Sequence, residues 1–213
     1  MTTQTIQSLH CIMVLDESGS MEDVLKETQQ SVMKFIANQQ KDALENKREM
    51  FFTLVKFSSA GKIATVYDRQ SIETVDTSKL PYDPCGLTAL YQAIGKTIVK
   101  YEKETSNVVF VIFTDGQENN SSSLWSRELV FGKIADRKKA GWEFIFLGAN
   151  QDNFSSDAPL IGVDNAGYFP LCNKGVCHAL DSVSRSVSRY AQFGKMDNIS
   201  RAVSMPTRFS APN

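Results

Sequence analysis

The chain has 213 residues, 42% of them hydrophobic, with a formal net charge of -1, so a single domain with a sizeable buried core, or a domain and a tail, is expected. That near-neutral balance, with a pI near 6.1, gives no excess of positive charge to hold nucleic acid or an anionic membrane surface, and neither is an expected partner. No window approaches the roughly 18 to 20 consecutive apolar residues that cross a bilayer, and Met1 to Gln7 lack the basic start and apolar stretch of a secretory signal.

Taken in chain order, short apolar runs alternate with segments of helical periodicity, which predicts a doubly wound α/β fold: a mostly parallel, Rossmann-like sheet with helices on both faces. The first strand is expected from about Leu9 to Leu15. It is followed by a helix over Glu22 to Asn38, where Val24, Leu25, Val32, Phe35 and Ile36 recur at helical spacing. Glu49 to Phe57 and Lys62 to Tyr67 read as two strands joined by a hairpin at Ser58 to Gly61, which would give the sheet one antiparallel edge. A connection over residues 68 to 87 holds a helical turn near Ser71 to Val75. A second helix is expected over Ala89 to Glu104, and a fourth strand over Val108 to Phe113. The polar loop from Gln117 to Ser123 then leads into a helix over Leu124 to Lys139, stopped at Gly141. Trp142 to Leu147 is a fifth strand, Ala166 to Phe169 a short sixth, and Lys174 to Gln192 a last helix. The single domain is thus drawn at residues 1 to 192, with 193 to 213 as an extended or disordered tail.

The residues that carry chemistry stand at the ends of these strands. Asp16-Glu17-Ser18-Gly19-Ser20 follows the first strand directly and sets one carboxylate and two hydroxyls in a tight turn. Gly86-Leu87-Thr88-Ala89 adds a third hydroxyl in a glycine-punctuated loop, and Thr114-Asp115-Gly116 adds a second carboxylate at the end of the fourth strand. Oxygen ligands of this kind suit a hard divalent cation. In open parallel sheets, ligands gather beyond the carboxyl ends of the strands, where neighbouring connections leave on opposite faces.

This ordered set resembles the metal-ion-dependent adhesion site of von Willebrand factor A domains, and the likeness spans about residues 7 to 190. The resemblance implies that the first and fourth strands are neighbours. It further implies that Ser18, Ser20 and Thr88 coordinate the ion directly, while Asp16 and Asp115 act partly through water. With only two carboxylates the set fits magnesium or manganese better than calcium. The resemblance also implies that a partner protein completes the coordination with an Asp or Glu, so a non-enzymatic protein-binding module is expected, and the N-terminus without a secretory signal leads us to expect it in the cytoplasm. The stretches Gly141 to Asn150 and Tyr82 to Tyr91 look like the small stand-alone A-domain proteins of bacteria and their phages.

Other readings rest on fewer residues. A metal-dependent hydrolase using the same site would need a base or nucleophile near the ion, and the two histidines, His10 and His178, belong to no recognised motif. Cys172, Cys177 and His178 supply three of the four ligands that a structural zinc site takes. The four cysteines, Cys11, Cys85, Cys172 and Cys177, are few and read as reduced thiols. Glu17 and Glu118 are expected as solvent-facing residues on the rim of the site. Ser182 to Ser188, with Arg185 and Arg189, reads as a solvated helix face.

Overall fold

The computed structural model describes residues 6, 8–104, 107–149, 162–163 and 165–199. Its six strands are β1 (Ser8–Asp16), β2 (Glu49–Phe57), β3 (Ile63–Ser71), β4 (Asn107–Thr114), β5 (Glu143–Ala149) and β6 (Ala166–Phe169). They form one sheet in the order β3-β2-β1-β4-β5-β6. All pairs are parallel except β2 with β3, so the antiparallel edge expected from the hairpin is present. The described helices are α1 (Leu25–Glu45), α2 (Leu90–Tyr101), α3 (Arg127–Lys139) and α4 (Asn173–Phe193).

Alternation along the central strands explains the layers. Leu9, Cys11, Met13 and Leu15 of β1, with Val109, Val111 and Phe113 of β4, join the cluster that packs against α1 and α4. The intervening Ile12 and Val14, with Val108, Phe110 and Ile112, join the cluster under α2 and α3. A strand covered on both faces has no polar side, and β1 from Leu9 to Asp16 is accordingly buried throughout. Stacking of Phe113 on Phe169, centroids 4.9 Å apart, ties the centre of the sheet to its short edge strand.

Because the chain leaves β1 for α1 on one face and leaves β4 for α3 on the other, a crevice opens between the carboxyl ends of these adjacent strands. Their register pairs Leu15 with Phe113. Asp16, Thr114 and Asp115 therefore fall together at the mouth.

Three boundaries differ from the sequence reading. The expected helix over Glu22 to Asn38 begins as a 3-10 turn, Gly19–Val24, and only then becomes α1, which runs on to Glu45. Nothing between Asn38 and Glu45 breaks a helix, and Ala43 extends the apolar stripe into the core. β3 continues past Tyr67 to Ser71 through a bulge against β2, where Arg69 takes a φ of 46°; polar edge residues hide a strand whose pairing is irregular. The tail expected from Phe193 starts with a left-handed Gly194 cap on α4, and residues 194–199 return to the domain, where Ile199 is buried and its amide donates to Asn165 Oδ1 at 2.8 Å. The remainder of that segment lies outside the described residues. No described helix is long and apolar enough to cross a membrane.

At the opposite end of β1 from the crevice, His10 is fully buried. Its Nε2 lies 2.9 Å from Thr53 Oγ1 and its ring meets Tyr101 edge-on. Burial, aided by the Arg69 charge and opposed by Asp68, pushes the imidazole down from its ordinary 6.5 to about 4. Between those values the unfolded chain takes up a proton that the folded chain refuses. Stability is therefore complete above about pH 6.5 and falls as the pH drops toward 4, by up to about 3 kcal/mol. His10→Gln keeps a group that can bond Thr53 but does not titrate, and urea denaturation at pH 7 and pH 4.5 should show a smaller loss for it than for the wild type; equal losses would contradict the assignment.

Candidate metal centre

Asp16 ends β1 and is buried, yet it is well supplied with donors. The Ser18 amide reaches its Oδ1 at 2.7 Å and the Thr114 hydroxyl its Oδ2 at 2.5 Å. Its own carbonyl accepts the Tyr82 hydroxyl at 2.6 Å. Ser18 Oγ and Ser20 Oγ lie 3.2 Å apart, and Ser20 donates to Asp115 Oδ1 at 2.8 Å. The structure thus brings Asp16, Ser18, Ser20 and Asp115 into one continuous polar chain across the crevice. Thr88 closes it from the third loop: a Cβ placed on Gly116 would lie 2.9 Å from Thr88 Oγ1, so the absence of a side chain at 116 lets that hydroxyl approach the Asp115 turn.

The loops that carry these side chains are bonded to one another through their backbones. Glu17 N donates to Phe57 O, Gly19 N to Gly86 O, Cys85 N to Glu17 O and Ala89 N to Ser58 O, at 2.7 to 3.0 Å. Gly86, at a φ of 80°, makes the turn that permits this approach.

Electrostatically the crevice lacks a cation. Among the described residues neither Asp16 nor Asp115 has an ion-pair partner. Burial pushes Asp16 up to about 7, against the bonds from Thr114 and Ser18, and the neighbouring Asp115 charge pushes the same way. Burial also raises Asp115. One atom has no satisfaction at all: Asp115 Oδ2 is buried without a hydrogen-bond partner. A buried unpaired carboxylate oxygen is costly, and beside two serine hydroxyls and a second carboxylate it is the donor set a hard divalent cation takes. The residues present therefore fit such an ion.

Other candidates separate from this cluster. Among the described residues no group of three or more His, Cys, Asp and Glu side chains could hold a metal. Cys172, Cys177 and His178, at the start of α4, thus do not gather into a zinc site. All four cysteines are free. Glu17 and Glu118 are braces rather than solvent-facing rim residues: Glu17 pairs with Lys56 at 2.5 Å and accepts the Asp83 amide, and Glu118 is taken up by backbone amides of the neighbouring loops. Sequence reasoning did not assign Thr114 or Tyr82 to the site. The signal for Thr114 was available in its place at the strand end, one step before Asp115.

A family description now attaches to this geometry. Residues 11–169 match the von Willebrand factor type A domain. The chain belongs to that family. No curated protein matches it. Among solved structures it is similar to proximal thread matrix protein 1 from the mussel byssus with a zinc-occupied adhesion-site motif (12% identity, TM-score 0.64, covering 88% of this chain and 47% of that one). It is also similar to the pilus adhesin SpaC from Lactobacillus rhamnosus GG (16%, TM-score 0.67, 88% and 31%) and to the vWF domain of the type V pilus tip protein Mfa5 from Porphyromonas gingivalis (10%, TM-score 0.60, 91% and 99%). At these identities the likeness is one of fold, and this A domain spans about half or less of the byssus and SpaC chains. A domains often mediate metal-dependent protein interactions, and the byssus protein holds zinc at its own adhesion-site motif.

The close approach of Thr88 to Gly116 can be tested without any metal. Gly116→Ala should cost about 1 to 3 kcal/mol of stability through overpacking, and adding Thr88→Ala, which removes the obstructing oxygen, should recover most of that cost. Additive losses in urea denaturation would mean that the two residues do not press on each other.

Proposed function

We propose that this A domain binds one magnesium or manganese ion through a complete adhesion site of Asp16, Ser18, Ser20, Thr88 and Asp115, and that the ion captures an Asp or Glu side chain of a partner protein. The observation that carries this reading is the buried, partnerless Oδ2 of Asp115, whose Oδ1 accepts the Ser20 hydroxyl that in turn meets Ser18. Two carboxylates balance the charge of a divalent ion, and the hydroxyls add neutral oxygens without overfilling its coordination, which leaves room for a ligand from outside. When bound, the ion supplies electrostatic attraction for an incoming carboxylate; this chain's residues hold, orient and neutralise it.

We read the site as binding rather than catalytic. His10 stands about 20 Å away along β1, six residues at roughly 3.3 Å each, and is engaged by Thr53. His178 belongs to α4, on the face covered by α1. A hydrolase would need a base at the crevice other than the two carboxylates that would hold the metal. We further read the chain as one domain, packed at least as far as Ile199, followed by a tail. The four unpaired cysteines favour a reducing compartment such as the cytoplasm, and the Gly141 to Asn150 and Tyr82 to Tyr91 stretches favour a small bacterial or phage setting.

Two measurements test this. Isothermal calorimetry should give one magnesium site per chain for the wild type and none for Asp16→Ala, which removes half of the site's negative charge; undiminished affinity in the variant would refute the ligand assignment. Partner capture from the native source should require the ion: recovery of the same partner with chelator present, or equally well by Thr88→Ala, would refute the metal-bridged mechanism.

A further inference from the structure

The segment Glu118 to Ser121, which contributes none of the five oxygens above, holds Thr88 by three hydrogen bonds. Asn119 Oδ1 accepts the Thr88 amide at 2.8 Å, while the amides of Asn119 and Asn120 donate to the Thr88 carbonyl at 3.0 and 3.1 Å. The peptide groups on both sides of Thr88 are thereby fixed, and with them the Cα–Cβ bond that aims its hydroxyl. One residue further along, Asn120 Oδ1 accepts the amide of Ala60, so the hairpin loop is held by the same segment.

Glu118 secures the segment itself. Its Oε1 accepts the amides of Asn120 and Ser121 at 2.8 and 2.7 Å, and its Oε2 accepts the Ser121 hydroxyl at 2.7 Å and the Tyr91 amide at 2.8 Å. α2 opens at Ala89 without a side-chain cap of its own. The Glu118 bond to Tyr91 and the Ser121 Oγ bond to the Gln92 amide at 2.9 Å provide the cap from another loop. A carboxylate at a helix amino end is also favoured by the helix dipole.

We propose that Asn119 is a positioning residue for the metal centre: acting only through Thr88, it fixes that hydroxyl relative to Asp115, so the segment 115–121 carries one carboxylate ligand and sets the geometry of a hydroxyl ligand from a different loop. Glu118 has a separate role as the cap of α2. The inference rests on the proposed reading of Thr88 and Asp115 as ligands. Its physical ground is that a hydroxyl has weak preference for one direction unless its backbone is held, and that groups supporting metal ligands typically contribute about ten- to a hundredfold in affinity.

The test is a double-mutant cycle on the full chain, read by magnesium calorimetry and by amide hydrogen exchange of the metal-free protein. Asn119→Ala should weaken magnesium binding by about tenfold or more and speed exchange at the Thr88 amide. In a Thr88→Ala background the same change should have no further effect on affinity. Asn119→Asp, which keeps the acceptor oxygen, should restore protection of the residue 88 amide, whereas Glu118→Ala should lower the melting temperature. Wild-type affinity in Asn119→Ala, or an equal loss with and without Thr88, would overturn the positioning role while leaving the ligand reading intact. If Thr88→Ala itself bound magnesium like the wild type, the ligand reading would fail first.

Discussion

Everything at the functional end of this domain depends on the parallel pairing of β1 with β4. With Leu15 set beside Phe113, the next residues on the two strands are Asp16 and Thr114, and the bond between them closes the sheet where the connections diverge. A slip of one residue would turn Asp16 toward the opposite face and break the alternation of both core clusters. The register is therefore enforced by the apolar residues of both strands, and the polar site inherits its precision from the core.

That core also makes the site expensive. Two carboxylates from the ends of adjacent strands share a crevice walled by apolar residues, and burial works against charge on both. Donors from Ser18, Thr114 and Ser20 offset part of the cost, but each is neutral. Lys56 on β2 pairs with Leu15, one step before Asp16, and could have relieved that cost, yet its ammonium is committed to Glu17. Glu17 in turn steadies the loop of Asp83 and Cys85 through its carboxylate and carbonyl. The cationic charge nearby is thus spent on loop architecture, and the crevice keeps its negative character for a ligand.

Much of this was legible in the sequence. The strands β1, β4 and β5 are apolar runs with little ambiguity because they are buried on both faces, and the D-x-S-x-S and Thr114-Asp115-Gly116 residues stand where β1 and β4 end. β3 was harder to delimit, since an exposed edge strand with a bulge at Arg69 carries no clean alternation. The 3-10 turn before α1 was hidden because Met21 and Val24 fit either helix period. The grip of Glu118, Asn119 and Asn120 was invisible for another reason. Their bonds run to backbone amides and carbonyls some thirty residues back in the chain, and backbone groups leave no trace in side-chain patterns.

β1 itself offers a comparison between a buried titratable group that is only structural and one that marks a site. His10 and Asp16 lie near its two ends, both fully buried, and the same cause moves them in opposite directions, the imidazole down and the carboxyl up, each toward its neutral form. Burial and a shifted proton equilibrium therefore do not separate them. Their surroundings do. His10 Nε2 meets Thr53 and its ring packs edge-on against Tyr101, although its Nδ1, like Asp115 Oδ2, is buried without a partner. Asp16 shares its crevice with the Ser18–Ser20 hydroxyl pair, which reaches a second carboxylate through Ser20, and that carboxylate's other oxygen is buried without a partner. An unpartnered buried atom is therefore not enough to mark a site; an unpartnered carboxylate oxygen beside a second carboxylate and the Ser18–Ser20 hydroxyl pair is the physical reason to read this end of the sheet as a place where something from outside completes the structure.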